Sequence, residues 1–141
     1  MILTLELAEK IVRRARAVAR ENSLRPLTIC VVDAGGHVIC LAREDGGSPM
    51  RPKIAHGKAH GAIAMGLGSR QLFERVQKQP YFIQAMNTLA DGLLVPVPGG
   101  VLIRHEDRII GAVGITGASS DEDEACAVAG IEAAGFASDC G

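Results

Sequence analysis

Residues 27–33 and 37–43 are two β-rich runs with only Ala34-Gly35-Gly36 between them. So short a connection cannot carry a crossover, and the runs must fold back on each other as an antiparallel hairpin. Residues 101–105 and 108–116 repeat the arrangement around Glu106-Asp107, and the last of these strands is apolar enough to be central. Helical patterns flank the hairpins. Residues 4–22 place Ala8, Ile11, Val12, Ala15, Val18 and Ala19 on one stripe, with Thr4 as a cap and Glu6 and Glu9 near the positive end. Residues 51–66 open with Pro52 in the first turn and carry Ile54, Ala55, Ala59, Ala62 and Ile63 at helical spacing. Ser69 can cap a short helix to about residue 76, and Pro80 opens another piece over 81–89. Residues 91–100 contain two prolines and Gly99-Gly100, which makes them a shaped loop or edge. Ser120, with Asp123 three residues on, reads as the cap of a final helix with an acidic first turn. The order helix, hairpin, helices, hairpin, helix specifies an α+β fold, an antiparallel sheet of about five strands flanked by helices.

At 141 residues the chain fits a single domain, 1–141, large enough to bury a core without disulfides or metals. Fifteen Lys and Arg balance sixteen Asp and Glu, and no basic block is long enough to follow a phosphate backbone, so nucleic acid is not an expected partner. No apolar run approaches the ~20 residues of a membrane span, and the opening residues lack the basic leader and apolar core of a secretory signal. The expectation is a cytoplasmic protein with no membrane partner. Cys30, Cys40, Cys126 and Cys140 form no C-x-x-C. If Asp33 and His37 close the first hairpin without a bulge, Cys30 and Cys40 fall opposite each other, where a disulfide is conceivable; a cytosolic setting favours two thiols.

The side chains able to do chemistry concentrate in residues 51–66, where His56, Lys58 and His60 sit within five residues. His56 and His60 are four apart and share a helix face, whereas Lys58 points roughly 200° around from His56. The stretch therefore offers two chemistries on two faces. The histidine spacing suits metal or haem ligands, but a third metal ligand would have to arrive through the fold from His37, His105 or Glu74, and no metal is assigned. Lys58 could anchor an anion or, desolvated, act as a base. Gly99 and Gly100 could expose backbone N–H groups to an anion, and Asp33 and Arg43, near the two ends of the first hairpin, could be an acid and an anion clamp. Each has an alternative reading: turn geometry for the glycines, a turn cap for Asp33, an ion pair for Arg43. Asp123 reads as a helix cap rather than a catalyst.

Five motifs in order, Val31-Val32-Asp33-Ala34-Gly35-Gly36, Arg43-Glu44-Asp45-Gly46, Ala55 with Lys58-Ala59, Pro98-Gly99-Gly100, and residues 111–117 followed by Asp123 and Ala125, resemble the GlcG/HbpS-like haem-binding protein family. That family also includes the C-terminal domain of PduO-type corrinoid adenosyltransferases, and the resemblance covers nearly the whole chain. It implies a profilin-like fold around a central antiparallel sheet, assembly into a homo-oligomer, and a small-molecule ligand that in some members is haem or a related tetrapyrrole. Lys58 stands at the family's lysine position. Family members commonly carry a hydroxyl residue two positions later, where this chain has His60, and His56 is not part of the shared pattern.

Three functions follow as expectations. The first is a small-molecule or haem-binding protein with His56 or His60 as ligand and Lys58 and Arg43 for carboxylates. The second is an enzyme acting on a small carboxylate or hydroxy acid, with Lys58 as base or anion anchor and His60 or His56 as acid. The third is an accessory scaffold whose stripes of small residues pack between subunits. Under the first two, residues 51–66 line a ligand pocket with Lys58 as its polar anchor.

Overall fold

The computed structural model describes residues 2–141. Five helices, α1 (Leu5–Glu21), α2 (Arg51–Met65), α3 (Ser69–Lys78), α4 (Pro80–Leu89) and α5 (Ser120–Ala133), surround five strands, β1 (Thr28–Asp33), β2 (Val38–Arg43), β3 (Gly100–His105), β4 (Arg108–Thr116) and β5 (Ala137–Asp139). The strands form one antiparallel sheet in the order β2-β1-β4-β3-β5. The two expected hairpins thus lie side by side through β1 and β4, and the α+β fold is as the sequence pattern specifies. The short edge strand β5, paired with β3, is an element the pattern does not reveal.

Period-2 alternation divides the core. Ile29 and Val31 of β1, with Val113 and Ile115 of β4, face a layer made by α1 and α5. Cys30 and Val32 of β1, Leu102 of β3 and Ala112 of β4 face α2, which meets them with Ala55, Ala59 and Ala62. Small residues on both sides of this second contact bring helix backbone close to sheet backbone. A third cluster, Leu72, Ile83 and Leu94, holds α3 and α4 against the segment that leads into β3.

Two local expectations are corrected. The first hairpin carries a bulge: Val31 pairs with Cys40 and Val32 with Val38, leaving Ile39 unpaired, so Cys30 lies opposite Leu41. Cys30 and Cys40 consequently point to opposite faces of the sheet, and all four cysteines are free thiols. Burial pushes the Cys30 thiol up to about 12. The cap of α5 is Ser119, one residue earlier than the pattern suggests. Its hydroxyl accepts from the Glu122 N–H at 3.2 Å while the Glu122 carboxylate accepts from the Ser119 N–H at 3.1 Å, a reciprocal capping box. Ser119→Ala is therefore expected to cost about 1 kcal/mol in urea unfolding, whereas Ser120→Ala, which breaks no cap, should change stability by less than about 0.5 kcal/mol.

Candidate functional site on helix α2

Helix α2 is held on two opposite sides. Its Ala55-Ala59-Ala62 side rests on the sheet. Its Gly57 and Gly61 side is crossed by Leu94 and Val95: a Cβ on Gly57 would stand 2.6 Å from Val95 Cγ2, and one on Gly61 3.0 Å from Leu94 Cα. At 100° per residue, two flanks remain, and Lys58 and the histidine pair fall on different ones.

On the first flank Lys58 is only 3% exposed, and its Nζ donates to the Ile115 carbonyl at 2.8 Å and to Asp123 Oδ2 at 3.4 Å. Asp123, 2% exposed, also accepts the Ala118 N–H at 3.0 Å. Gly99 and Gly100 belong here. Gly99, at φ +124°, leaves room where a Cβ would stand 2.8 Å from Lys58 Nζ, and Gly100 donates its N–H to Ser69 Oγ at 2.7 Å. Burial lowers the lysine from its ordinary value, with Asp123 opposing the shift, and burial raises the Asp123 carboxyl, with Lys58 opposing it. The cluster is closed: the principal surface grooves are lined by other residues. Sequence reasoning missed Asp123 as the partner of Lys58. A signal existed, because Asp123 is in phase with buried Cys126, Ala127, Gly130 and Ile131 on the inward stripe of α5.

On the second flank the rings of His56 and His60 meet edge to face with centroids 5.9 Å apart. His60 Nδ1 lies 2.9 Å from the Leu93 carbonyl. A carbonyl only accepts, so Nδ1 carries a proton, and in the neutral ring Nε2 is the nitrogen with the free lone pair. His60 Nε2 makes no hydrogen bond among the described residues and, unlike His56 Nε2, is not sealed from solvent. His56 Nε2 is buried without a hydrogen-bond partner among the described residues. The β1–β2 turn closes over this flank at Gly36, where a Cβ would stand 2.8 Å from His60 Cδ2.

Beyond the histidines lies edge strand β2, packed against α2. Val38 and Leu41 pair with Val32 and Cys30, so their side chains share the α2 face of the sheet. They remain 47% and 38% exposed. Arg43, in the same row at the other end of β2, is exposed and donates to the Gly47 carbonyl at 3.4 Å. Asp33 is elsewhere: its Oδ1 accepts from the N–H groups of Gly35 and His37 at 2.9 and 3.0 Å, fixing the turn. The expected constellation therefore separates into a buried Lys58–Gly99–Gly100 cluster, a half-open histidine flank shared with β2, and Asp33 at the hairpin tip. His37, His105 and Glu74 do not join the histidine pair, and among the described residues no three His, Cys, Asp or Glu side chains gather as a metal site would need. No helix among those residues is long and apolar enough to cross a membrane.

The family described as haem degrading protein, HbpS-like, matches residues 3–132. Protein GlcG of Escherichia coli K12 is 30% identical over 118 residues, covering 82% of this chain and 82% of GlcG. The crystal structure of a PduOC–haem complex superposes with a TM-score of 0.86 at 25% identity, covering 96% of this chain and 97% of that one. A double mutant of HbpS from Streptomyces reticuli superposes with a TM-score of 0.79 at 28% identity, covering 94% and 86% of the two chains. With its five-stranded antiparallel sheet, its five helices and a match over nearly its whole length, the chain belongs to the HbpS-like family.

Proposed function

We propose that the protein binds haem or a related tetrapyrrole on the flank of α2 that carries His56 and His60, against the exposed face of β2. The observation that carries this reading is the fixed tautomer of His60: Nδ1–H is committed to the Leu93 carbonyl and Nε2 has no hydrogen-bond partner among the described residues. A histidine that ligates a metal characteristically donates its other ring N–H to a carbonyl or carboxylate, which orients the ring and raises its basicity. Val38 and Leu41 supply apolar wall, and exposed Arg43 stands along the same strand for a propionate carboxylate. His56, whose buried Nε2 lacks a hydrogen-bond partner among the described residues, backs the His60 ring. Iron bound there would supply a redox and small-ligand centre. Lys58 has a positioning role in this reading, holding α2 to β4 and α5. The relationship to the family and to the haem-bound PduOC structure supports the same ligand class.

Haemin titration followed by the Soret band tests the proposal. The native chain should bind with a shifted Soret maximum, and His60→Ala should weaken binding at least about 10-fold, the scale by which even outer-sphere changes weaken metal sites. His56→Ala should have the smaller effect, and the His37→Ala/His105→Ala pair none. No Soret shift in the native chain, an unchanged titration in His60→Ala, or loss of binding only when His37 and His105 are replaced would each overturn the assignment.

A further inference from the structure

The two hairpin tips enclose a groove of about 770 Å³, lined on the tips by Asp33, Gly35, His37, His105, Glu106 and Arg108. Ile2, Leu3, Ile109 and Ile110 add an apolar wall. The volume is that of a small-molecule site. We propose that this groove is a second ligand site, separate from the α2 flank, that takes a small organic acid: a carboxylate held by Arg108 with an apolar body on the isoleucine wall.

Each hairpin carries a bulge just behind the tip that lines the groove. Ile39 is the extra residue of a bulge in the first hairpin, and Ile110 of one in the second, where Ile103 pairs with Gly111 and Arg104 with Ile109. A bulge increases local twist and re-aims side chains; Ile110 packs toward the α1–α5 layer and Ile109 toward α2, and the groove runs over the end of the sheet so that both line it. The β3–β4 turn is also costly. Glu106 and Asp107 have φ of +49° and +63°. A turn of this kind favours Asn-Gly, and each left-handed residue with a side chain costs about 1–2 kcal/mol. Strain of this sort collects at functional sites, and here it puts Glu106 and Arg108 at the rim.

Two carboxylates, Asp33 and Glu106, and one guanidinium, Arg108, line the groove, so an anion can be held only at the arginine. At this end of the sheet Arg104 pairs with Asp139 and His105 Nε2 lies 3.8 Å from Glu106, and no ion pair among the described residues uses the exposed Arg108. A guanidinium with no ion-pair partner among the described residues offers the planar fork that carboxylates fill. Asp33, with Oδ1 held by two backbone N–H groups, and Glu106, 3.8 Å from His105, keep their negative charge and oppose an anion, so the ligand carboxylate belongs at the Arg108 side of the groove. His37, exposed on the facing tip, adds a ring N–H donor. An uncharged apolar molecule would leave the arginine unused, and a charge without a body would leave the isoleucine wall wet.

Octanoate is the probe, titrated into the haem-free protein and read by amide proton–nitrogen correlation spectra. Saturating shifts should centre on residues 33–37 and 105–110, with acetate and 1-octanol each binding more weakly. Arg108→Gln, an exposed substitution whose fold the same spectra verify, should weaken octanoate at least about fivefold, the scale of one charge-assisted hydrogen bond. Absence of saturating shifts, shifts centred on α2 and β2, or an affinity unchanged in Arg108→Gln would overturn the proposal. Haemin plays no part in this measurement, so its outcome is independent of the haem reading.

Discussion

Lys58→Met is expected to lower unfolding free energy by about 3–5 kcal/mol, because it leaves the Asp123 carboxylate buried without its cation. The Asp123 Oδ1 bond from Ala118 survives, but Oδ2 loses Lys58 in a place water does not reach. Removing both charges with Lys58→Met/Asp123→Leu should recover most of the loss, since a packed apolar pair of similar volume is often as stable as the ion pair it replaces. Urea denaturation of the two variants checks this; equal losses in both would show that packing rather than unpaired charge is responsible. The pH dependence separates the effects further. Burial lowers Lys58 below 10.5, so between its folded value and 10.5 the unfolded chain holds a proton the folded chain lacks, and native stability rises with pH there. Burial raises Asp123 above 3.8, so between 3.8 and its folded value the folded chain holds the extra proton, and stability falls as pH rises. The native chain measured against the double variant should therefore be relatively weakest at intermediate pH and gain toward both ends. A maximum at intermediate pH would mean that attraction between the two charges outweighs their burial.

Legibility in the sequence followed the range of the interaction. The 100° rotation per residue was enough to place Lys58 and the histidines on different flanks of α2, and the structure finds them in different environments. The hairpins were legible because Ala34-Gly35-Gly36 and Glu106-Asp107 leave the chain no other course, whereas the bulges were not: Ile39 between Val38 and Cys40 carries no mark of one, and the one pointer to that at Ile110 is the adjacent Gly111. At α5 two adjacent serines each have an acidic residue three positions on. The longer Glu122 side chain reaches back to the Ser119 N–H and completes the box, which turns Asp123 inward to Lys58. β5 spans only residues 137–139 and exists through its pairing with β3, so no local pattern announces it. The tautomer of His60 depends on the Leu93 carbonyl 33 residues away and was beyond reach for the same reason.

Gly114→Ala is expected to cost about 4 kcal/mol or to prevent folding altogether, the upper range of single-residue overpacking. Its new Cβ would stand 2.0 Å from the Ala55 carbonyl oxygen and 2.7 Å from the Ala59 nitrogen, both backbone atoms of α2. No side-chain rotation relieves a clash with backbone. Gly100 lies directly opposite Gly114 in the β3–β4 register and is equally close to α2, its missing Cβ position 2.4 Å from the Lys58 carbonyl oxygen, so the pair makes a bare patch on which the helix rests. Lifting the helix is blocked from above, where Val95 and Leu94 already press on Gly57 and Gly61. Gly66→Ala is the control: φ there is +67° but nothing lies within 4 Å of the added carbon, so only the left-handed backbone is charged, about 1 kcal/mol. Thermal unfolding of the two variants checks the contrast, and similar losses would refute the close-packing argument. The same displacement reaches the proposed haem site. Any rise of α2 carries His60 away from Gly36 and alters its contact with the Leu93 carbonyl that fixes its tautomer, so a folded fraction of Gly114→Ala should bind haemin more weakly than the native chain although residue 114 touches α2 on its sheet side and not on the histidine flank.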